Sequence, residues 1–334
     1  MTVRERFLSV LNFQKPDKLP KMEWAPWWDK TFARWRGEGL PACVDEGALH
    51  GYLGLERLEC VGAGPIDWKL LPPAFHRAGI LGTEEPEAVY EEIRPYLFTD
   101  RMIEGALAHA REIRDAHSRG DIAIRLWIDG CFWFPRSLFG IEQHLYAFYD
   151  HGELMHRMNG DLVAYNVRAM KAVFDILVPD MVGIAEDMSY NHGPMLSKGM
   201  FDEFIAPYYA GEIAFVQERG VKVWVDTDGD VGQLIPWLLE AGVAGVYPLE
   251  RQAGVDIAAL RREYPTFLMM GGYDKMVMSQ GEGPMRAEFE RLLPVMRTGG
   301  YIPSVDHQTP PEVSLDNYKI YVKLLDEYCA KACE

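Results

Sequence analysis

Eight short apolar segments recur along this 334-residue chain, and helix-like segments separate most of them. Alternating strands and helices are typical of α/β folds, in which helices cover a mostly parallel sheet. Eight such units in a chain of this length predict a single (β/α)8 barrel, the TIM-barrel fold, over residues 1–334. The predicted strands are centred on Met22, Leu58, Ile124, Val182, Val223, Val246, Leu268 and Ile302.

A doubly wound sheet is the alternative arrangement for a chain with this pattern. Many folds of that kind carry a phosphate-binding pattern, GxGxxG or GxxxxGK[ST], directly after a strand. Neither pattern comes after a predicted strand here, and no linker divides the chain into two parts. We therefore expect one domain and favour the barrel.

The segment VKVWVDTDGD, residues 221–230, combines an apolar strand pattern with a cluster of acids. Three valines alternate along its first half, which predicts a buried strand. Asp226, Asp228 and Asp230 come directly afterwards. Carboxylates so close together repel one another unless protons, a cation or basic groups neutralise them. The alternative is a solvated loop in which Asp230 caps the next helix.

Polar side chains also come after most of the other predicted strands. In a (β/α)8 barrel the carboxyl ends of all strands open on one face, here called the barrel mouth. Either a cation or pairing with Arg125, Arg136 and Arg251 would neutralise the acids gathered there. The residues expected at the mouth are Glu23, Asp129, Glu186, Asp187, Asp226, Asp228, Glu250, Asp274, Asp306 and His307.

His307 is the only imidazole at a predicted strand end. Asp226 and Asp228 are two residues apart, so in an extended chain both carboxylates point the same way. Imidazole and carboxylate are ligands of zinc and other divalent ions. We therefore predict a metal site formed by Asp226, Asp228 and His307. The alternative is that His307 hydrogen-bonds to substrate or caps a loop without any metal.

Aromatic residues crowd the predicted mouth, above all after the first and third strands. Their density in CFWFPR, residues 131–136, exceeds what a capping turn needs. A wall of this kind suits an aromatic or macrocyclic ligand. The predicted substrate-binding residues are Trp24, Trp127, Asp129, Trp133, Arg136 and Tyr190.

The composition limits the classes of partner. Lys and Arg number 34 against 50 Asp and Glu, a net charge of −16, so binding to nucleic-acid phosphates is not expected. The five cysteines are scattered and form no Cys-x-x-Cys pair, which predicts a reduced, cytoplasmic protein. We expect no secretory signal, and no run reaches the roughly 20 apolar residues that span a bilayer.

Several segments resemble the uroporphyrinogen decarboxylase superfamily, and the resemblance extends over nearly the whole chain. RERFLSVLNFQKPDKLP resembles the opening helix of that family, and GGYIPSVDHQTPPEVSLDNY resembles its closing segment. GEIAFVQERGVKVWVDTDGD and GVYPLE are similar to its fifth and sixth units. The resemblance implies a (β/α)8 barrel, in agreement with the strand count.

The true decarboxylases hold the acidic arms of a tetrapyrrole with an N-terminal Arg-Gln-Ala-Gly-Arg motif. The matching stretch here, KMEWAPWWDKTFARW, has Glu23 where a cation is expected. An acidic mouth repels a polycarboxylate substrate. Decarboxylation of uroporphyrinogen is therefore not expected.

The resemblance is nearer to the cobalamin-dependent methyltransferases of the superfamily, which EDMSYNHGPMLSKGMFDEFIAPYY resembles more than it does the decarboxylases. Those enzymes hold zinc through His-x-Cys after the fifth strand and a Cys in the closing segment. Asp226-x-Asp228 and His307 occupy the matching positions with different ligand types. The resemblance implies a corrinoid-dependent methyltransferase or demethylase, and carboxylate ligands favour an ether or amine substrate over a thiol.

Under this interpretation Glu186, Glu250 and His307 are the predicted catalytic residues. The expected cofactors are zinc or another divalent metal, and a corrinoid carried by a partner protein. A small molecule donates or accepts the methyl group, and association into a homodimer is left open. Two alternatives remain: a decarboxylase of a porphyrin or other organic acid that works without metal, and a non-catalytic corrinoid- or tetrapyrrole-binding protein.

Overall fold

A sheet of seven parallel strands forms the centre of the computed structural model, which describes residues 1–77 and 79–334. The strands of the described residues are β1 (Leu58–Gly62), β2 (Ala123–Asp129), β3 (Met181–Ala185), β4 (Ser189–Tyr190), β5 (Gly193–Pro194), β6 (Lys222–Asp226), β7 (Gly245–Tyr247), β8 (Leu268–Tyr273) and β9 (Tyr301–Val305). The parallel sheet runs in the order β1-β2-β3-β6-β7-β8-β9, and β4 and β5 form a small antiparallel hairpin shortly after β3.

Helices connect the strands and cover the sheet, as the strand–helix alternation predicts. They are α1 (Val3–Leu11), α2 (Asp29–Gly37), α3 (Glu46–Leu53), α4 (Pro86–Ile93), α5 (Asp100–Arg119), α6 (Trp133–Phe139), α7 (Ile141–Asp150), α8 (Gly152–Phe174), α9 (Lys198–Phe204), α10 (Ala206–Gln217), α11 (Ile235–Glu240), α12 (Ile257–Glu263), α13 (Glu282–Met296) and α14 (Leu315–Lys331). None of the described helices combines the length and hydropathy needed to cross a membrane.

Local sequence signals account for where helices begin and end. Thr2 and Glu5 form a reciprocal capping box at the start of α1. Along α5 the apolar side chains of Ile103, Ala110 and others at helical spacing are buried, while the opposite face is polar. The helix ends at Gly120, whose φ of 82° is a left-handed conformation that glycine adopts without steric cost.

The first predicted strand, around Met22, is not a strand in the structure. The segment nevertheless lies between β1 and β9: the Lys21 carbonyl accepts a hydrogen bond from the Glu56 N–H, and the Trp24 N–H donates to Oγ of Ser304. A regular ladder does not form here, because the buried carboxylate of Glu23 takes hydrogen bonds from the backbone N–H of β9 and from Ser304. The fold is the predicted TIM-barrel-like α/β architecture, with seven regular strands instead of eight.

The two faces of β2 show how the barrel builds its interior. Ile124, Leu126 and Ile128 are fully buried within the apolar core. The alternate residues Arg125 and Trp127 instead contact the ring of Tyr247, on another strand of the barrel. Side chains two apart share a face of a strand. The period-two pattern therefore places polar and aromatic groups inside the barrel, below its mouth.

Candidate active site

Asp228, Glu250 and His307 come together at the barrel mouth, where one ligand atom from each lies within 4.8 Å of the others. These residues come after β6, β7 and β9, and parallel strands bring their carboxyl ends to the same face. Nε2 of His307 is 3.5 Å from Oδ2 of Asp228. All three side chains are partly exposed, so a ligand can reach the group, here called the mouth triad.

The loop that carries Asp228 is held by the buried side chain of Thr227. Oγ1 of Thr227 accepts hydrogen bonds from the backbone N–H groups of Met188 and Ser189, at 2.9 and 3.1 Å. The Thr227 N–H in turn donates to the carbonyl of Tyr247. The loops after β3 and β6 and the end of β7 are therefore joined around one threonine, which limits the freedom of Asp228.

Gly229 allows the same loop to reach Glu250. Its φ of 81° is left-handed, and a Cβ at this position would lie 2.5 Å from the backbone of Tyr190. Only glycine accommodates both the dihedral angle and so close a neighbour. The Gly229 N–H donates to Oε2 of Glu250 at 2.9 Å, which orients that carboxylate toward the triad.

Positive groups balance part of the acidic charge at the mouth. The hydrogen bond with Asp228 raises the pKa of His307, although burial opposes this shift. Nζ of Lys275 lies 3.8 Å from Oε1 of Glu250 and 3.5 Å from Oδ1 of Asp306. Lys275 was not among the predicted site residues, and its position directly after the end of β8 was the available signal.

Two of the acids expected at the mouth hold the backbone of neighbouring loops. Asp306 is fully buried and accepts hydrogen bonds from the N–H groups of Arg251 and Lys275. Its burial raises the pKa of Asp306 to about 6. Asp274 accepts a hydrogen bond from the Met276 N–H and begins a short 3-10 helix. Asp306 therefore holds the loop that carries Glu250, while Asp274 caps the loop that carries Lys275.

Asp226, the third predicted metal residue, lies outside the mouth triad. Burial, reinforced by the negative charge of Asp228, raises the pKa of Asp226 to about 8. Asp226 is the last residue of β6, close enough to Arg125 for that positive charge to oppose the shift, whereas Asp228 lies in the following loop. Of the predicted metal residues the structure thus groups Asp228 and His307, and it adds Glu250, which we predicted as a catalytic residue.

Asp129, predicted to bind substrate, is the last residue of β2 and is half-buried at the mouth. Burial raises the pKa of Asp129 to about 7. Among the described residues, its backbone carbonyl accepts from Asn166 but its carboxyl group has no protein partner. A carboxyl group that titrates near neutrality and is free of partners is suited to exchange protons with a ligand.

Glu186, a predicted catalytic residue, is fully buried beneath the loop that precedes α6. Its carboxylate accepts four hydrogen bonds at 2.5–3.1 Å, three from successive backbone N–H groups and one from a tyrosine hydroxyl. The donors are Cys131, Phe132, Trp133 and Tyr209. Burial nevertheless raises the pKa of Glu186 to about 7. With this geometry Glu186 holds the backbone of residues 131–133 in place. A direct catalytic role of Glu186 stays a prediction.

Arg136 and Trp133, both predicted to bind substrate, lie at one side of the mouth. Arg136 donates to Oδ2 of Asp187 at 2.6 Å and to its carbonyl at 2.7 Å. The guanidinium lies 5.3 Å from the centre of the Trp133 ring, a cation–π contact. Arg136 is thus already paired, so the salt-bridge alternative raised from the sequence holds for this residue.

Trp24 and Trp127 form the aromatic wall of the interior together with Tyr247, which was not predicted. The Tyr247 ring centre lies 5.7 Å from that of Trp24 and 6.4 Å from that of Trp127. Trp24 also approaches the mouth triad, with its ring centre 6.3 Å from that of His307. Tyr190 is set apart: it is 48% exposed on the hairpin and packs edge-on against His192.

Comparison with known proteins shows which family the chain belongs to. A family model described as uroporphyrinogen decarboxylase (URO-D) matches residues 130–328, a range that covers the loop above Glu186 and the whole mouth triad. A search of curated proteins finds no significant match to the chain.

Among solved structures, a methyltransferase from Methanosarcina mazei aligns over 98% of this chain and 99% of its own, with a TM-score of 0.64 and 16% identity. A hyperthermophilic β-glucosidase from Pyrococcus furiosus has a TM-score of only 0.43, with 11% identity over 98% of this chain and 88% of its own. A hyperthermophilic β-glucosidase mutant that forms dodecamers in the crystal has a TM-score of 0.45, with 12% identity over 92% of this chain and 86% of its own. The fold of this chain is therefore similar to that of the methyltransferase over the full length of both proteins. Because the family model covers more than half of the sequence, the chain belongs to the uroporphyrinogen decarboxylase family.

Proposed function

We propose that this protein is a methyltransferase that moves a methyl group between a small methylated substrate and a corrinoid carried by a partner protein. The observation that carries the proposal is the mouth triad, in which Asp228, Glu250 and His307 present three potential metal ligands within 4.8 Å of one another. Family membership and the full-length likeness of fold to a methyltransferase support it.

The triad suits a divalent cation. Ligand atoms bound to one tetrahedral zinc ion lie roughly 3.4 Å apart, because each is about 2.1 Å from the metal. Small side-chain rotations bring three atoms that are already within 4.8 Å to that spacing. Three protein ligands leave one coordination position open, which is the arrangement of catalytic rather than structural zinc sites.

The ligand types indicate which chemistry the ion would supply. Two carboxylates and one imidazole are harder ligands than the thiolates that favour binding of a thiol. An ion held here would supply Lewis-acid chemistry to an oxygen or nitrogen atom that loses its methyl group. We therefore favour an aryl or alkyl methyl ether, or a methylamine, as the substrate.

The surrounding residues orient the substrate and the triad. The Gly229 N–H fixes Glu250, and Lys275 reduces the repulsion among the acids. The aromatic wall, with Trp24 next to His307, excludes water from one side of the mouth and offers apolar contact to a methylated ligand. The open side of the mouth would leave a corrinoid carried by a separate protein access to the methyl group, which it would accept.

A decarboxylase acting on an organic acid, without metal, is the second candidate. The specific observation in its favour is Asp129, whose unpartnered carboxyl group has a pKa raised by burial to about 7. Such a group can deliver the proton that replaces the lost carboxyl group of a substrate.

Metal analysis and a methyl-transfer assay together test the proposal. The purified protein, grown with zinc, is assayed for metal and then mixed with methoxybenzene-type substrates and free cob(I)alamin. Formation of methylcobalamin, measured by absorbance, together with near-stoichiometric metal, is the expected result. Carbon dioxide release from an added organic acid by metal-free protein supports the second candidate and rejects the first.

A further inference from the structure

Arg125 is a buried cation inside the barrel, and none of the described acids forms a close ion pair with it. Burial disfavours its charge, while nearby groups that include Asp226 favour it and raise the pKa of Arg125. It is only 7% exposed. Its guanidinium donates a long hydrogen bond of 3.5 Å to the Trp24 carbonyl and approaches the Cys60 thiol, and its Nε–H has no partner among the described residues. The ion pairs at the mouth engage Arg136, Lys275 and His307 instead. Burying an unpaired charge costs several kcal/mol, so an Arg in this state points to a missing anion.

Another arginine of the same chain shows what a purely structural role looks like. Arg261 is also 7% exposed, and its Nε–H likewise lacks a partner among the described residues. Its terminal nitrogens, however, donate four hydrogen bonds of 2.7–3.1 Å to the backbone carbonyls of Pro265, Phe267, Gly299 and Gly300. Arg261 is thus satisfied by the protein, whereas Arg125 is not.

Two aromatic rings pack against the guanidinium of Arg125 and leave its N–H groups able to donate hydrogen bonds to a ligand. The guanidinium carbon lies 4.7 Å from the centre of the Trp127 ring and 5.5 Å from that of Tyr247. Cation–π contacts use the face of the guanidinium, so they do not consume its hydrogen-bond donors. The Tyr247 hydroxyl is also buried without a partner in the described part of the chain, close to Gly183, where a Cβ would lie 2.3 Å from it.

Arg125 lines a cavity of about 550 Å³ at the irregular strand position. The volume falls within the ~300–1,000 Å³ of typical small-molecule sites. Trp27, on the same cavity, has a buried indole N–H for which the described residues offer no partner. Glu23 also borders the cavity, but hydrogen bonds from Ser304, the Val305 N–H and Tyr321 occupy both of its oxygens.

We propose that Arg125 binds the carboxylate of the substrate, and that the substrate is therefore an aromatic acid that carries a methylated oxygen or nitrogen. The planar guanidinium matches a carboxylate with two parallel hydrogen bonds, and the Tyr247 hydroxyl is a further donor. Trp24 borders both this cavity and His307, so the two ends of one ligand can reach the two sites. The carboxylate site stands on its own geometry, while the methylated end rests on the proposed function.

Three probes separate the carboxylate site from the methylated end. Benzoate has the carboxylate and no methyl ether, methoxybenzene has the ether and no carboxylate, and para-methoxybenzoate has both. Each is titrated into metal-free protein, with the fluorescence of the nearby tryptophans as the signal. Metal-free protein is used so that a carboxylate bound to an ion cannot imitate the result.

Arg125→Met is the main variant and is expected to weaken benzoate binding by roughly ten- to hundred-fold, since charge-assisted hydrogen bonds are lost. Methoxybenzene binding is expected to be unchanged. Arg125→Lys keeps the charge without the planar fork and is expected to be intermediate. Arg251→Met, which removes a partly exposed cation at the mouth, is the matched control and is expected to bind benzoate as the parent does.

Thermal unfolding distinguishes a binding role from a structural one. Removing an unpaired buried charge is expected to leave the melting temperature equal or higher, whereas a fall in Arg125→Met together with unchanged benzoate binding marks a structural arginine and overturns the inference. Absence of saturable benzoate binding by the parent, or equal binding by Arg125→Met, also overturns it. If Arg125→Met does not fold, equal benzoate binding by Arg125→Lys and the parent has the same meaning.

The two proposals can fail separately. Saturable, Arg125-dependent benzoate binding without methyl transfer from para-methoxybenzoate supports the carboxylate site and rejects the proposed function. Methyl transfer from methoxybenzene in a protein that does not bind benzoate supports the proposed function and rejects the carboxylate site.

Discussion

Oδ2 of Asp228 lies 3.5 Å from Nε2 of His307, although the two residues come after different, non-adjacent strands of the sheet. Their side chains meet because both strands end at the same mouth and the loop around Gly229 reaches across it. The same loop positions Glu250, so the arrangement of the three side chains depends on one glycine and one buried threonine.

Asp228→Asn and His307→Ala are each expected to lower the affinity for zinc by at least about tenfold, because a ligand loss exceeds the effect of changing an outer-shell partner. Asp230→Asn is the matched control: its carboxylate accepts a hydrogen bond from the Gly232 N–H at 3.0 Å, and the amide oxygen can replace it. Metal content after dialysis against a defined zinc buffer is the measurement. Retention of parental metal by both site variants would place the ion elsewhere.

Gly130→Ala is expected to destabilise the protein by about 1–3 kcal/mol through overpacking. A Cβ at Gly130 would lie 2.1 Å from Cδ of the buried Glu186, which four hydrogen bonds hold in place. Gly160→Ala, in the open on α8, is the control and is expected to stabilise the helix by roughly 0.5–1 kcal/mol. Urea unfolding measures both, and equal stabilities of the two variants would contradict the anchoring role of Glu186.

Glu212 is expected to make stability fall as the pH rises toward 8. Burial raises its pKa from 4.5 to about 8, so between these values the unfolded chain has released a proton that the folded chain retains. The free energy of unfolding then decreases with pH, by at most about 1.4 kcal/mol per pH unit for one group. Glu212→Gln is expected to flatten the profile across this range.

The control for that measurement is Glu218→Gln, an exposed position just after α10. Its profile of unfolding free energy against pH is expected to match that of the parent. A Glu212→Gln profile as steep as the parental one would show that other buried acids, such as Glu23, carry the dependence.

Uroporphyrinogen is not expected to be converted to coproporphyrinogen at an enzymatic rate. The mouth presents Asp228, Glu250 and Asp129, with Arg136 already paired to Asp187, and this charge repels a polycarboxylate. Chromatography of the porphyrins after incubation, beside an authentic decarboxylase, is the measurement. Turnover comparable to that of the decarboxylase would reject this prediction. It would also reject the proposal that the mouth triad binds a divalent cation.

Local features of the structure could be predicted from the sequence because neighbouring residues decide them. The capping box of Thr2 and Glu5, the end of α5 at Gly120 and the alternation along β2 are all short-range patterns. The gathering of Asp228 and His307 at one mouth was also predictable, since every parallel strand of a barrel points its carboxyl end the same way.

Only the tertiary structure decided which side chains are free. Arg125 and Arg261 are the same residue type with the same exposure, yet Arg125 donates one long hydrogen bond to a backbone carbonyl and Arg261 donates four shorter ones. Glu186 likewise meets donors far along the chain, and Glu23 replaces a strand ladder by bonding to β9. Such pairings depend on packing between distant segments. The sequence by itself therefore determined the barrel and its acidic mouth, while long-range contacts decided which acids and cations remain available to a ligand.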